Sequence, residues 1–196
     1  MRRGPVRARL RRIDACVISS LLPNVGDAGE VREGESPVVL TDILPAERAD
    51  VAPAAAIETK EAALQRLSEL LAIPPTTMRT TAGDFFRVLC ERESLQSTGI
   101  GDGVAIPHGS LDGLEAQRAA LLVCPDGLPF DAIDGRPVRI LFAVVGPKRT
   151  TGEHLKTLAR VSRLLRDPSF RQKLLAAREG SQAWELVREA ESDRVV

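Results

Sequence analysis

Three observations predict that this chain folds as one α/β domain. Short aliphatic strands are interspersed with helices of ordinary length, and the best strand, residues 138–145, stands between Pro137 and Gly146. A length of 196 residues suits one such domain with an additional segment. The strands are too few for a large doubly wound domain, so a smaller layered fold is expected.

Composition excludes several classes of protein. Lys and Arg number 27, as do Asp and Glu, so the formal net charge is zero and a chain-wide basic surface for nucleic acid is not expected. Aromatic residues make up only 3%, with no tyrosine, which argues against base-stacking surfaces. No apolar run approaches the roughly 20 residues of a membrane-spanning helix. Cys16, Cys90 and Cys124 form no CxxC pair, so neither a disulfide framework nor a zinc ribbon is predicted, and the cytoplasm is the expected compartment.

Residues 1–37 differ from the rest of the chain. Six arginines and no acid occupy the first twelve positions, followed by a short apolar stretch and an acidic, Gly-rich segment. We expect an N-terminal extension that is disordered and lies outside the domain. Two alternatives stay open: a signal peptide, for which the apolar stretch is short and lacks an A-x-A site, and a basic arm for nucleic acid or anionic lipid.

Apolar periodicity and turn residues predict the elements of the domain. The expected order begins with possible strands at 38–40 and 50–57, a helix at 60–73 before Pro74, a helix that Thr81 caps and that runs to about Glu93, and a glycine loop at 97–103. Strands at 104–106, 119–124 and 138–145, a turn at 125–127, and three helices after Thr150, Asp167 and Ser181 are expected beyond it.

The last three helices carry explicit start and stop signals. Thr150 with Glu153 three residues later has the spacing of a capping box. Asp167 is expected to cap the next helix, which has proline in its first turn. Gly180 is expected to end that helix, and Ser181 to cap the final one.

The chain has two histidines, so any histidine chemistry uses His108, His154 or both. His108 follows Pro107 at the end of a predicted strand beside the glycine loop, where α/β sheets expose reactive side chains; the alternative is a structural histidine. His154 falls in the first turn of a helix, where the dipole disfavours a protonated ring and free N–H groups can receive an anion. The alternative there is a half-exposed surface histidine.

Other candidate motifs are weaker. Arg92 stands at the end of a helix, and its alternative is a solvated side chain between Glu91 and Glu93. The glycines of 99–103 lack the G-x-G-x-x-G spacing and a Walker lysine, so no nucleotide site is predicted. The histidines and cysteines show no metal-ligand spacing, and no serine has a G-x-S-x-G setting. No metal or cofactor is therefore expected.

Residues 91–109, ERESLQSTGIGDGVAIPHG, resemble the phosphorylation-site motif of type-2 enzyme IIA domains of the bacterial phosphoenolpyruvate-dependent phosphotransferase system. That family includes fructose- and mannitol-type IIA domains and the nitrogen-regulatory IIA proteins. The resemblance continues at 40–44, 130–138 and 152–159. It covers about residues 38–191 and leaves 192–196 as a tail.

The resemblance implies a mixed sheet flanked by helices on both sides, with His108 accepting the phosphoryl group while His154 and Arg92 assist. It implies a phosphocarrier with an HPr-like donor, and either regulatory targets or a IIB domain as further partners. Segment 130–134 and the absence of transporter domains in these 196 residues favour the nitrogen-regulatory branch, although Ser110 stands where a basic residue is common. The alternatives are a sugar-specific IIA subunit that passes phosphate to a IIB partner, and a regulatory binding module that is not phosphorylated.

Overall fold

A computed structural model describes residues 39–53, 55–73 and 80–192. The predicted extension, position 38 of the first possible strand, and residues 193–196 lie outside these ranges. In chain order the elements are α1 (Leu40–Ile43), a 3-10 turn (Ala46–Arg48), β1 (Ala49–Val51), α2 (Lys60–Ala72), α3 (Ala82–Leu95), β2 (Gly99–Gly101), β3 (Val104–Ala105), β4 (His108–Leu111), β5 (Arg118–Leu128), β6 (Val138–Pro147), α4 (Thr151–Leu165), α5 (Pro168–Ala176) and α6 (Gly180–Ser192).

The sheet is built around β6. On one side β6 pairs antiparallel with β5, which pairs parallel with β1. On the other side β3 and then β4 run parallel to β6, and β2 pairs antiparallel with β3. The sheet is therefore mixed, as predicted.

Alternating residues of β5 and β6 enter two separate cores, because successive side chains of a strand point to opposite faces. Leu122 and Val145 pack on one face against α2 and α3. Leu121 and Val144 pack on the other face against α1 and α4–α6. Helices thus cover both faces of the sheet, which confirms the predicted fold class. Within the described ranges, no helix is both long and apolar enough to cross a bilayer.

The strand beside β6 is interrupted between β3 and β4. Pro107 has no N–H to donate to a ladder, and its carbonyl accepts the Val144 N–H at 2.9 Å. The Ile106 N–H turns to the other side and donates to the Thr98 carbonyl at 3.0 Å. His108 therefore begins β4, whereas the sequence placed it at the end of a strand.

Four further expectations about strands and turns were wrong in whole or in part. The predicted glycine loop contains β2, which reaches β3 through Gly101, Asp102 and Gly103 at φ values of 91°, 54° and 76°. Glycine-rich composition therefore marked a tight hairpin rather than an open loop. Residues 125–127 lie within β5 at a register shift and do not form a turn between elements. Leu40 begins α1 instead of a strand, and the second possible strand stops at Val51.

Two predicted caps are confirmed. The Thr81 hydroxyl accepts the Asp84 N–H and the Asp84 carboxylate accepts the Thr81 N–H, which together form a capping box. Asp167 accepts the Ser169 N–H at 2.8 Å, with proline at the first helical position.

The predicted capping box of α4 was wrong. Thr150 does precede the helix, and its carbonyl accepts the His154 N–H at 3.1 Å. Its hydroxyl, however, donates to the Pro147 carbonyl at 3.3 Å and makes no capping bond. A hydroxyl that is committed to the preceding strand leaves the N–H groups of the first turn without a side-chain cap.

The boundary between α5 and α6 also differs from the expectation. α5 ends at Ala176, and Gly180 begins α6, so Ser181 lies inside the helix. A Cβ on Gly180 would stand 1.8 Å from the Ala49 carbonyl oxygen. The glycine therefore permits the helix start to approach the β1 backbone, and it does not serve as a stop signal.

α6 returns to the beginning of the domain. The buried Glu191 carboxylate accepts the N–H groups of Leu40 and Thr41 at 2.8 and 3.0 Å and pairs with Arg160 at 3.0 Å. The Trp184 indole N–H donates to the Leu44 carbonyl at 2.7 Å. These contacts cap α1 from a helix about 150 residues away along the chain.

We expect Gly180→Ala to lower the free energy of unfolding by at least about 3 kcal/mol, because the added methyl group meets backbone that cannot rotate away. Gly152→Ala is the matched control: it also lies at a helix start, but nothing stands within 4 Å of its added Cβ. Its stability should change by less than about 1 kcal/mol. Urea denaturation of both variants measures the difference, and equal stabilities would contradict the close approach.

Candidate functional site

Arg92, His108 and His154 come together although they lie on three different elements. Arg92 belongs to the last turn of α3, His108 opens β4, and His154 stands in the first turn of α4. The Arg92 Nε lies 3.1 Å from His108 Nε2. The centroids of the two imidazole rings are 6.2 Å apart. The three candidates from the sequence thus form one cluster.

The backbone of β4 sets the direction of the His108 ring. A Cβ on Gly109 would stand 2.3 Å from Val88 Cγ1 on α3, so only glycine fits that close approach. Since side chains alternate along a strand, the preceding His108 faces the opposite side of the sheet, towards α4. The sequence analysis did not single out Gly109, although its place beside the histidine was visible.

Hydrogen bonds define the tautomer of His108. Its Nδ1 lies 2.8 Å from the Ile106 carbonyl oxygen. A carbonyl only accepts, so the ring carries its proton on Nδ1 and keeps a lone pair on Nε2. That lone pair accepts the Arg92 Nε–H, which can only donate. The nucleophilic nitrogen of a neutral imidazole therefore faces a permanent cation.

Arg92 is held at two points and is not the solvated side chain of the alternative interpretation. Besides its contact with His108, its Nη1 donates to the Gln96 carbonyl at 3.0 Å. The neighbouring acids have other partners: Glu91 pairs with Arg87 at 3.1 Å, and Glu93 is buried. The guanidinium is thus available to the cluster rather than neutralised by adjacent carboxylates.

Glu93 supports the site through its hydrogen bonds to Thr98, and the sequence did not identify it as part of the site. Its Oε2 accepts the Thr98 N–H at 2.9 Å and the Thr98 hydroxyl at 2.6 Å. Lys60 Nζ lies 3.1 Å from Oε1. The Thr98 carbonyl in turn accepts the Ile106 N–H, and the Ile106 carbonyl orients the His108 ring. Glu93 therefore positions Thr98, which positions the residue that orients His108. An acid five residues before a threonine was the available signal, and it is a weak one.

His154 is buried, with 7% of its surface exposed, which excludes the surface-histidine alternative. Neither ring nitrogen has a hydrogen-bond partner among the described residues. Its Nδ1 lies 3.0 Å from the point where a Gly146 Cβ would stand, so the ring rests on β6 where a glycine makes room for it. Gly146 was also not anticipated as part of the site.

Both imidazoles are held neutral. Burial lowers the pKa of His154 to about 4, and positive charge on His108 would lower it further. Burial likewise lowers the pKa of His108, and Arg92 acts in the same direction, while the Ile106 carbonyl and Glu93 oppose the change. At neutral pH the cluster therefore contains two neutral rings and one guanidinium.

Two other expectations concern the surroundings of the cluster. Ser110 is exposed on β4, so it offers a hydroxyl where a second cation was in question. No group of three His, Cys, Asp or Glu side chains in the described ranges is placed to hold a metal ion. Arg92 is accordingly the cation that contacts His108.

The chain matches known proteins over most of its length. The family model described as "Phosphoenolpyruvate-dependent sugar phosphotransferase system, EIIA 2" matches residues 46–190. A nitrogen regulatory protein of Bradyrhizobium diazoefficiens is 35% identical over 148 residues, which cover 76% of this chain and 94% of that protein. One from Escherichia coli K12 is 34% identical over 139 residues, covering 68% of this chain and 81% of that protein.

Solved structures agree with these sequence matches. The crystal structure of nitrogen regulatory protein IIA-Ntr from Neisseria meningitidis has a TM-score of 0.68 and 29% identity, over 76% of this chain and 99% of that one. The IIA mannitol structure from Escherichia coli, at 21% identity and a TM-score of 0.56 over 72% of this chain and 96% of that one, shows the same fold. The resemblance seen in the phosphorylation-site motif is confirmed: the chain belongs to the type-2 EIIA family of the phosphoenolpyruvate-dependent phosphotransferase system.

Proposed function

We propose that this protein is a cytoplasmic phosphocarrier that accepts a phosphoryl group on His108 Nε2 from an HPr-like protein and acts in nitrogen or metabolic regulation. The observation that carries the proposal is the hydrogen bond from His108 Nδ1–H to the Ile106 carbonyl. It leaves the Nε2 lone pair directed at the Arg92 guanidinium, 3.1 Å away. A neutral nucleophile facing a cation is the arrangement that phosphoryl transfer requires.

The transfer needs no proton movement at His108. The Nε2 lone pair forms a new P–N bond as the P–N bond of the donor phosphohistidine breaks, and the donor imidazole leaves with the electron pair. His108 keeps its Nδ1 proton, and the Ile106 carbonyl stabilises the positive charge that the phosphorylated ring acquires. Catalysis then consists of positioning and charge stabilisation.

Arg92 has to release Nε2 before the phosphoryl group can bind there. The hydrogen bond from Arg92 Nη1 to the Gln96 carbonyl anchors the side chain, and the guanidinium can turn about this anchor towards the phosphoryl oxygens. The start of α4 offers N–H groups without a side-chain cap, and the helix dipole there favours an anion. His154, neutral and buried, supplies a neutral N–H donor beside the same place.

The surroundings of the cluster suit a protein donor. Leu95, one turn beyond Arg92 on α3, is 81% exposed, and Leu155, adjacent to His154, is 40% exposed. Exposed leucines on the two helices that carry Arg92 and His154 are compatible with contact to a partner protein. This supports a phosphorylated protein as the donor.

The alternative is a sugar-specific IIA subunit that passes phosphate to a IIB partner. A fructose-specific EIIA component of Haloferax volcanii is 37% identical, but only over 89 residues, which cover 45% of this chain and 58% of that protein. The nitrogen regulatory relatives match over more of the chain and favour the regulatory role. Incubating the phosphorylated protein with IIB domains separates the two roles, because only the sugar-specific subunit transfers its phosphate to one.

His108→Gln should abolish phosphorylation by phosphoenolpyruvate, enzyme I and HPr, since Nε2 is the only nucleophile in the proposed scheme. Acid-labile phosphate on the protein is the measurement, with mapping of the labelled residue in the unaltered chain. Circular dichroism should show that the variant stays folded. Label retained on the variant would contradict His108 as the acceptor. An unlabelled natural chain would instead favour a binding module that is not phosphorylated.

Arg92→Ala should slow phosphoryl acceptance by about one to three orders of magnitude. This is less than the roughly 10³- to 10⁵-fold effect of an arginine finger, because His154 and the start of α4 still contact the phosphoryl group in the proposed scheme. Arg87→Ala is the matched control: it removes an exposed arginine from the same helix, where it pairs with Glu91. The rate is measured with phosphorylated HPr as donor. Equal rates for the two variants would remove Arg92 from the mechanism.

His154 should make the stability of the protein depend on pH. In the unfolded chain a histidine binds a proton below about 6.5, whereas folded His154 does so only below about 4. The free energy of unfolding should therefore be highest above pH 6.5 and fall by about 2 to 3 kcal/mol as the pH drops to about 4. Urea denaturation across this range should show a shallower decline for His154→Gln. An identical decline in both proteins would mean that His154 titrates normally.

A further inference from the structure

Two buried polar groups beside the site lack hydrogen-bond partners. In the described part of the chain, both nitrogens of His154 and Oε1 of Gln117 are buried without a hydrogen-bond partner; Glu93 Oε1, also buried without one, has Lys60 Nζ 3.1 Å away as its ion-pair partner. Buried polar atoms are nearly always hydrogen-bonded, so two such groups in one neighbourhood call for an explanation.

Strand register places these two groups next to each other. Arg118 is opposite Val145 in the β5–β6 ladder, so Gln117 stands one step earlier, opposite Gly146. Arg118 points to the α3 face, where its guanidinium lies 5.9 Å from the centre of the Phe85 ring. By alternation Gln117 points to the other face, towards α4.

Gly146 leaves a space that both side chains enter. The point where its Cβ would stand lies 3.0 Å from His154 Nδ1 and 3.3 Å from Gln117 Cγ. Any larger residue at position 146 would occupy this space and separate the two. The carboxamide of Gln117 is attached to Cγ and so lies close to this space, although it makes no hydrogen bond with Nδ1 as it stands.

Other groups on the same face of α4 already have partners. The Thr150 hydroxyl donates to the Pro147 carbonyl at 3.3 Å, and the Thr157 hydroxyl donates to the Glu153 carbonyl at 3.0 Å. These two residues are the helical neighbours of His154, four positions before it and three after. Gln117 is therefore the side chain available to pair with the buried Nδ1.

We propose that Gln117 is a positioning residue for His154: its carboxamide N–H donates to His154 Nδ1 and holds the ring in the tautomer with the proton on Nε2. Because the carboxamide and Nδ1 do not bond in the present rotamer, the pairing requires the Gln117 side chain to rotate until its NH₂ group meets Nδ1. The phosphoryl oxygens of the proposed reaction only accept hydrogen bonds, so His154 can assist only with an N–H directed at them. Nδ1 faces Gly146 and Gln117, which leaves Nε2 as that donor.

This role rests on the proposed phosphoryl transfer, but the tautomer can be tested without it. The chain contains two histidines, so the two-bond ¹H–¹⁵N spectrum of the labelled, unphosphorylated protein shows two rings, which His108→Gln distinguishes. We expect opposite tautomers: His108 protonated on Nδ1, and His154 protonated on Nε2 with a hydrogen-bonded Nδ1. An Nδ1–H tautomer at His154, or rapid averaging between the two forms, would overturn the proposal with no variant needed.

Two substitutions of Gln117 extend the test. Gln117→Met keeps the length without a donor, so His154 should average between tautomers and phosphoryl acceptance should slow about tenfold, the value of one neutral hydrogen bond. Gln117→Glu can only accept once ionised, so it should move the His154 proton to Nδ1. Gln172→Met, an exposed change on α5, is the matched control and should alter neither measurement.

Each outcome is decisive. Unchanged His154 signals in Gln117→Met and Gln117→Glu would overturn the pairing even where the protein accepts phosphate normally. If the natural chain takes no phosphate from HPr, the proposed function fails, while the ¹⁵N spectra still decide whether Gln117 and His154 are paired.

Discussion

The hydrogen bonds around Ile106 are the constraint on which the site depends. The Ile106 N–H donates to the Thr98 carbonyl, but the Thr98 N–H donates to the Glu93 carboxylate and not back to Ile106. The Ile106 carbonyl is therefore left for the His108 ring. Pro107 follows with its carbonyl on the Val144 N–H of β6, and it has no N–H of its own to donate. A carboxylate that takes the place of a backbone acceptor thus frees the carbonyl that sets the tautomer of His108.

Charge is distributed sparingly around this contact. Burial keeps both imidazoles neutral, so Arg92 is the permanent charge that touches His108 Nε2. Glu93, the adjacent residue, has its carboxylate turned inward to Thr98 and Lys60. In the proposed transfer, a dianionic group would thus meet a cation that no carboxylate has neutralised, in surroundings where water competes weakly. Structural and chemical roles are divided between neighbouring residues of one helix end.

Much of this arrangement could be predicted from sequence. Two histidines, a proline and a glycine-rich segment were enough to locate the site, and the family motif identified Arg92. The supporting contacts could not be found in the same way. Gly109 and Gly146, and Gln117 in the proposed pairing, depend on what approaches them from α3, α4 and the neighbouring strand, and such distances leave no local pattern. The absence of the predicted Thr150 cap has the same origin. The Thr150 hydroxyl donates to the Pro147 carbonyl, and this contact is set by the path of the chain from β6 into α4.

The pairing of Glu191 with α1 has a consequence for the order in which the domain is assembled on the ribosome. α1 spans only four residues, too few to be stable alone. The groups that cap and anchor it, Glu191 and Trp184, are synthesised last. α1, the first helix of the described residues, is therefore among the last to find its place, and the packing around Leu40 and Leu44, fully buried in the finished fold, is complete only once α6 has emerged.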